Sequence, residues 1–128
     1  MENHPAATAV AAIIVGRDPQ RLAAALTETA RLRALLPGGP VESHGCADVT
    51  ACLHGWFADV DTVQVLESAG EAVADRLLIH YRLGLAQAET RWVCTQTAVC
   101  TAVDGLLSVV NLLCSGFREI CPSTQPAG

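Results

Sequence analysis

Residues 90–115, TRWVCTQTAVCTAVDGLLSVVNLLCS, decide the fold. Two runs rich in Val, Thr and Leu flank Asp104-Gly105. Asp-Gly between β-rich runs marks a tight hairpin, because these residues tolerate the positive φ that the turn requires. Thr90–Val103 and Leu106–Ser115 are therefore read as two antiparallel strands. Upstream, Val60–Ser68 and Ala72–Leu83 have the same character. Ala69-Gly70 and the stretch Gly84 to Glu89 are read as their separators. Long strands joined by short turns form an antiparallel meander.

Before Val60 the period is different. Val49, Cys52, Leu53, Trp56 and Phe57 fall at i, i+3, i+4, i+7 and i+8, one apolar stripe on a helix from about Cys46 to Ala58. Ala6–Val15 reads as an apolar helix stopped by Gly16. Asp18-Pro19 then restarts the chain, with Asp18 as cap and Pro19 at the first helical position, for a helix to about Glu28. Arg31–Leu36 reads as a short strand, Pro37-Gly38-Gly39-Pro40 as a turn, and Val41–His44 as a short extended piece. Helices first and a meander after them give an α+β domain.

The bulk numbers agree. The 128 residues form one domain, 1–128, with about 6–118 ordered and 119–128 a loose tail. Half of the chain, 51%, is apolar, but only five residues are aromatic, so the core is built from Ala, Val, Leu and Cys. Net charge is −5 with no basic run, which argues against nucleic acid and anionic membrane as partners. No stretch reaches the roughly 18–20 apolar residues of a spanning helix. Residues 6–15 lack the basic n-region of a signal peptide, so a cytoplasmic location is expected. The six cysteines are then reduced and act as small buried hydrophobes. Cys94 and Cys100 are too far apart on one strand to bond, and so are Cys46 and Cys52 on one helix.

Several landmarks stand in a characteristic order: an apolar helix ending in Gly16-Arg17-Asp18, a strand ending at Leu36-Pro37-Gly38-Gly39, and Gly45 opening an amphipathic helix. A strand led by Gly70-Glu71-Ala72-Val73 and the hairpin at Asp104-Gly105 complete the set. This order resembles the nuclear transport factor 2-like superfamily, in its polyketide-cyclase (SnoaL-like) and ketosteroid-isomerase branches, over about residues 6–118. The resemblance implies a cone: N-terminal helices packed in the concave face of a curved antiparallel sheet, cupping an apolar pocket. It also implies a homodimer through the outer face of the sheet.

The acids that the isomerase branch uses are missing. Leu36 precedes Pro37 where that branch has its Asp base. Ala9-Val10 stands where it has a Tyr, and Thr97-Ala98-Val99 where it has a second acid. A keto–enol isomerase needs a base at the carbon acid and donors at the oxyanion, so that mechanism is not expected. The epoxide-hydrolase branch's Arg-x-Asp is also absent, since His80-Tyr81-Arg82 carries no carboxylate.

By alternation, Leu77, Ile79, Tyr81 and Leu83 share one strand face. On the next strand Thr95, Thr97, Val99 and Thr101 share a face. The family's hairpin register puts both odd-numbered sets inward. The pocket would then be lined by Leu36, Thr95, Thr97, Val99 and Thr101, with Tyr81 as its polar handle. Tyr81 is either a core ring with a satisfied hydroxyl or a donor to a ligand oxygen. His54, at the edge of the apolar helical stripe, and His44, on the strand entering that helix, are candidate acids or bases at the mouth. Trp56 is a core residue or a stacking surface for ligand. Arg31 and Arg33 face water or an anion. His44, Cys46, Cys52 and His54 do not converge on one point, so no metal is expected, and no cofactor motif is present.

Three functions follow. One is a SnoaL-like cyclase or isomerase that folds an apolar, polyketide-like substrate by shape and positioning. Another is a non-catalytic dimeric binder of a small apolar molecule. The third is a module whose cavity is closed by its own side chains.

Overall fold

Asp104 and Gly105 make the expected turn, with φ of 51° and 82°. The strands that they join are β5 (Thr90–Val103) and β6 (Leu106–Cys114), antiparallel as read. The computed structural model describes residues 9–13 and 17–120. Its elements are a helix that includes residues 9–13 (α1), α2 (Pro19–Ala24), β1 (Leu26–Leu36), β2 (Gly39–His44) and α3 (Cys46–Gly55). The strands β3 (Thr62–Val73), β4 (Arg76–Gln87), β5, β6 and β7 (Arg118–Glu119) follow. The expected ends of the first helix, residues 6–8 and 14–16, and the tail from Cys121 lie outside the described residues.

The seven strands form one sheet in the order β2-β1-β6-β5-β4-β3, with β7 added beside β5. The sheet is mixed rather than wholly antiparallel: β1 runs parallel to β6, with Leu32 opposite Val110 and Ala34 opposite Leu112. No turn motif could announce this pairing, because its two strands are far apart in sequence. Arg118 and Glu119 pair with Val93 and Trp92, so the ordered chain runs past residue 118.

Helix α2 is shorter than read. Asp18 caps it by accepting from the amides of Gln20 and Arg21. It then stops at Ala24, and the chain extends as β1 from Leu26. In β1 the buried positions are Leu26, Ala30, Leu32 and Ala34. Tertiary pairing with β6 and β2 overrides the helical preference of this Ala- and Glu-containing stretch. Helix α3 buries Val49 and Leu53, and Phe57 just beyond it, as its stripe requires. Gly45 opens it at φ 91° and donates to the Ala30 carbonyl at 2.7 Å, a backbone conformation that suits glycine.

Two turns lie away from the glycines. Gly70 is buried inside β3, opposite Ile79, and the β3–β4 turn is made by Ala74-Asp75. Gly84 is inside β4. A Cβ there would approach the Leu66 side chain at 3.3 Å, and Leu66 is the residue skipped by the bulge in β3. The β4–β5 turn is Ala88-Glu89, with Ala88 at φ 53°. Asp61 steadies this turn by accepting from the Ala88 amide at 2.9 Å.

Arg17 fastens the first helical region to the start of the sheet. Its guanidinium donates to the carbonyls of Phe57 and Asp61, at 3.2 and 3.1 Å, and also to that of Val60. The core lies between the helices and one face of the sheet. Ala11, Leu22, Val49, Leu53 and Phe57 meet the inward residues of β1, β4, β5 and β6 there.

Candidate functional site

The inner wall of the cone is set by strand pairing. On β4, Ile79, Tyr81, Leu83 and Leu85 point in and are buried, as the alternation requires. On β5 the inward residues are Cys94, Gln96, Ala98 and Cys100. This overturns the expected lining by Thr95, Thr97, Val99 and Thr101, which occupy the outer face. The reason is the turn: Gln87 pairs with Thr90 across two residues, so each odd position on β4 faces an even one on β5, and Tyr81 faces Gln96.

A void of about 30 Å³ remains between helices and sheet. Val10, Leu22 and Leu53 cover it, and Ile79, Tyr81 and Ala98 are among the residues of its sheet wall. The lining is apolar throughout. Val10 and Ala98, which fall in the two stretches where the resemblance implies polar groups in the isomerase branch, are in this wall. Leu36, expected as lining, packs at the border of the core near the β1–β2 turn and does not reach the void.

Tyr81, Gln96 and two cysteines of the interior bond to one another, whereas the buried Thr50 hydroxyl on α3 has no partner among the described residues. The Tyr81 hydroxyl donates to Gln96 Oε1. Gln96 Nε2 donates to Cys114 Sγ at 3.3 Å. The same sulfur accepts from the Gly116 amide at 3.3 Å and lies 3.7 Å from Cys94 Sγ. Tyr81 and Gln96 are each 1% exposed, so neither competes with water for these bonds. Burial holds the Tyr81 proton on, well above the usual range for a phenol, and the neighbouring Cys94, Cys100 and Cys114 add to the effect. Burial pushes Cys100 up to about 12. Cys114 moves the other way, to about 6, through its hydrogen bonds with Cys94, Gln96 and Gly116, with burial opposing. Its partner Cys94 is raised, first by the bond to Cys114 and then by burial. The chain Tyr81–Gln96–Cys114–Cys94 was not foreseen from sequence. Correct pairing of β4 with β5 would have placed Gln96 against Tyr81.

The expected acids and bases stand elsewhere. His44 is exposed on β2, with Nε2 3.6 Å from Glu42 Oε1. His54 is half-buried in the last turn of α3 and borders a shallow cleft with Arg17, Asp18 and Phe57 rather than the void. Trp56 packs at the edge of the core and does not line the void. None of the three is brought to Tyr81. Among the described residues no group of three or more His, Cys, Asp or Glu side chains could hold a metal ion, and no helix is long and apolar enough to cross a membrane.

The outer face of the sheet carries its own features. Thr97 and Val99 join Leu35, Val41, Asn111 and Leu113 in an open groove of about 500 Å³. Leu35, Val99 and Leu113 are 52%, 43% and 57% exposed, an unusual concentration of apolar surface on three neighbouring strands. Beside it Thr97 Oγ1 is 3.0 Å from His80 Nδ1, whose Nε2 is 3.8 Å from Glu67 Oε1.

No protein-family model matches the sequence, nor does any curated protein. Solved structures do match in shape. A hypothetical protein of ketosteroid isomerase-like fold from Catenulispora acidiphila, in complex with trimethylamine, has a TM-score of 0.69 at 14% identity, over 86% of this chain and 85% of that one. A provisionally assigned polyketide cyclase from Xanthomonas campestris gives 0.66 at 17% identity, over 83% and 84%. A provisionally assigned isomerase from Bacillus subtilis gives 0.65 at 13%, over 81% and 79%. At these identities the likeness concerns architecture. Helices in the hollow of a curved sheet, in this strand order, give the chain the nuclear transport factor 2-like fold that ketosteroid isomerase-like proteins share.

Proposed function

We propose that this chain is a non-catalytic binder: a homodimer, joined through the outer sheet face, whose cone holds a small apolar molecule by shape. One observation carries the reading. The void offers a ligand no free polar group, because the hydroxyl of Tyr81 is committed to Gln96. A dry apolar cavity favours hydrocarbon over water. At 30 Å³ it has room for about two heavy atoms, so a larger guest displaces the helical cover made by Val10, Leu22 and Leu53. The five cysteines among the described residues are all free, which fits a reducing, cytoplasmic setting.

A second reading is favoured by the fold neighbours and by the position of Tyr81. In it the same cone cyclises or isomerises a polyketide-like substrate through positioning alone. His44 and His54 take no part in either reading, since neither reaches the void.

Mass spectrometry of the protein purified under native conditions tests the first reading, with organic extracts searched for a stoichiometric apolar molecule. The expected result is such a molecule, and a rise in melting temperature when it is added back to stripped protein. A clean extract, with no thermal shift from benzene or longer hydrocarbons, refutes it. Turnover of a polyketide-like substrate that Tyr81→Phe slows would establish the second reading instead.

A further inference from the structure

We propose that Cys94 and Cys114 are an oxidisable dithiol, with Cys114 the thiol that attacks peroxide and Cys94 the resolving partner. The inference does not depend on what the cone holds. It starts from position. Gln96 stands opposite Cys114 across the β5–β6 ladder, and Cys94 is the next inward residue along β5. The two sulfurs are diagonal neighbours on one face, 3.7 Å apart. A disulfide needs them at about 2.05 Å. The remaining approach falls where the ladder ends, because β6 stops at Cys114 and Ser115 to Phe117 are irregular.

The surroundings of the two sulfurs differ. Cys114 Sγ is the focus of two donors, Gln96 Nε2 and the Gly116 amide, and lies beside the Cys94 thiol. Gly116 sits at φ 76°, where its N–H turns back on the preceding strand end. Such a cradle favours thiolate, the nucleophilic form. The Cys94 thiol, which bonds to that sulfur, keeps its proton. The other described thiols lack this arrangement. Cys100 is buried among apolar side chains, and Cys46 donates to the Ala23 carbonyl at 3.4 Å.

The chemistry balances with hydrogen peroxide as oxidant. Cys114 thiolate attacks one peroxide oxygen, an S–O bond forms, the O–O bond breaks, and the departing hydroxide takes a proton to leave as water. The Cys94 sulfur then attacks the Cys114 sulfenic acid. The S–S bond forms, the S–O bond breaks, and the Cys94 proton leaves with the hydroxide as a second water. Peroxide is reduced and two thiols are oxidised. The product takes from Gln96 its thiolate acceptor, so oxidation reaches the residue that holds the Tyr81 hydroxyl.

The test uses the full-length protein. It is treated with stoichiometric hydrogen peroxide, capped with N-ethylmaleimide and cleaved before Asp104, which separates Cys94 from Cys114. Because Cys100 stays with Cys94 and Cys121 stays with Cys114, the Cys100→Ala and Cys121→Ala variants are run in parallel. The expected result is loss of two thiols, an intact mass lower by two hydrogens before capping, and a cross-link between the two fragments that persists in both Cys100→Ala and Cys121→Ala. Cys94→Ser should instead leave Cys114 trapped as sulfenic acid or its dimedone adduct. A cross-link between other cysteines, an intermolecular disulfide, or no oxidation at Cys114 overturns the proposal. Tandem mass spectra of the wild-type cross-linked fragments, which assign the bonded cysteine within each, decide the matter even where a variant fails to fold.

Discussion

Removing the Tyr81 hydroxyl should cost more than the loss of one hydrogen bond suggests. Tyr81→Phe leaves Gln96 Oε1 buried with no donor, and Gln96→Leu leaves the Tyr81 hydroxyl buried with no acceptor. A buried polar group left without its partner costs about 1–3 kcal/mol. Each single variant should therefore lose about 2 kcal/mol. The double variant Tyr81→Phe/Gln96→Leu leaves neither of these groups behind, and it loses the Gln96 Nε2 bond to Cys114 Sγ just as Gln96→Leu alone does. It should lose no more than either single change, so the coupling energy is at least about 2 kcal/mol. Urea unfolding of the four proteins, followed by far-UV circular dichroism, measures this, with the dependence on denaturant checked for constancy. If the two losses simply add, the hydroxyl and the amide do not depend on one another, and the committed-hydroxyl argument against acid–base catalysis falls.

Gly116→Ala places a Cβ 2.8 Å from Pro37 Cγ at a φ of 76°, and should lower stability by about 2 kcal/mol or more in thermal unfolding. Gly38→Ala, where a Cβ meets nothing within 4 Å, is the control and should stay within about 0.5 kcal/mol. Arg17→Ala removes a guanidinium from the carbonyls of Phe57, Val60 and Asp61, and should cost about 2 kcal/mol, with faster amide exchange across residues 56–61. Leu113→Glu puts a charge in the centre of the outer apolar groove, and light scattering should show a dimer turned monomer with unchanged circular dichroism. Stability should rise with pH from about 6 towards 9.0, because the unfolded Cys114 thiol still binds the proton that the folded one has released. Above that range the trend should reverse, because folded Cys94 keeps a proton that its unfolded form loses. Cys114→Ser should flatten the rise, as read from urea midpoints across the window.

The α+β order and the final hairpin were legible because strong local chemistry marks them. Asp104-Gly105 names its own turn, and the stripe through Val49, Leu53 and Phe57 names its own helix. Of the other hairpins, β3–β4 was misplaced and β4–β5 only bracketed, because alanine takes the positive-φ position in both, Ala74 at 54° and Ala88 at 53°. Alanine gives no turn signal, while Gly70 and Gly84 gave false ones from inside strands. That displacement carried through to the site. With the β4–β5 turn bracketed only to Gly84–Glu89, the parity of β5 was free, and the family register chose Thr95 to Thr101 over Cys94 to Cys100. Tyr81 came out correctly because β4 alternates strongly by itself. The parallel contact of β1 with β6 left no local trace at all.

That contact also governs how the chain reaches its structure. Strands β3 to β6 are successive hairpins and can form as soon as each is made, with short loops to close. The β1–β2 hairpin has only one internal neighbour, and that neighbour is β6, nearly the full described length away. During synthesis the apolar row Leu32 and Ala34 therefore waits, one edge unpaired, until the last long strand emerges. Joining the two halves of the sheet should be the slow event in folding. The interval before it is when the chain is most exposed to aggregation.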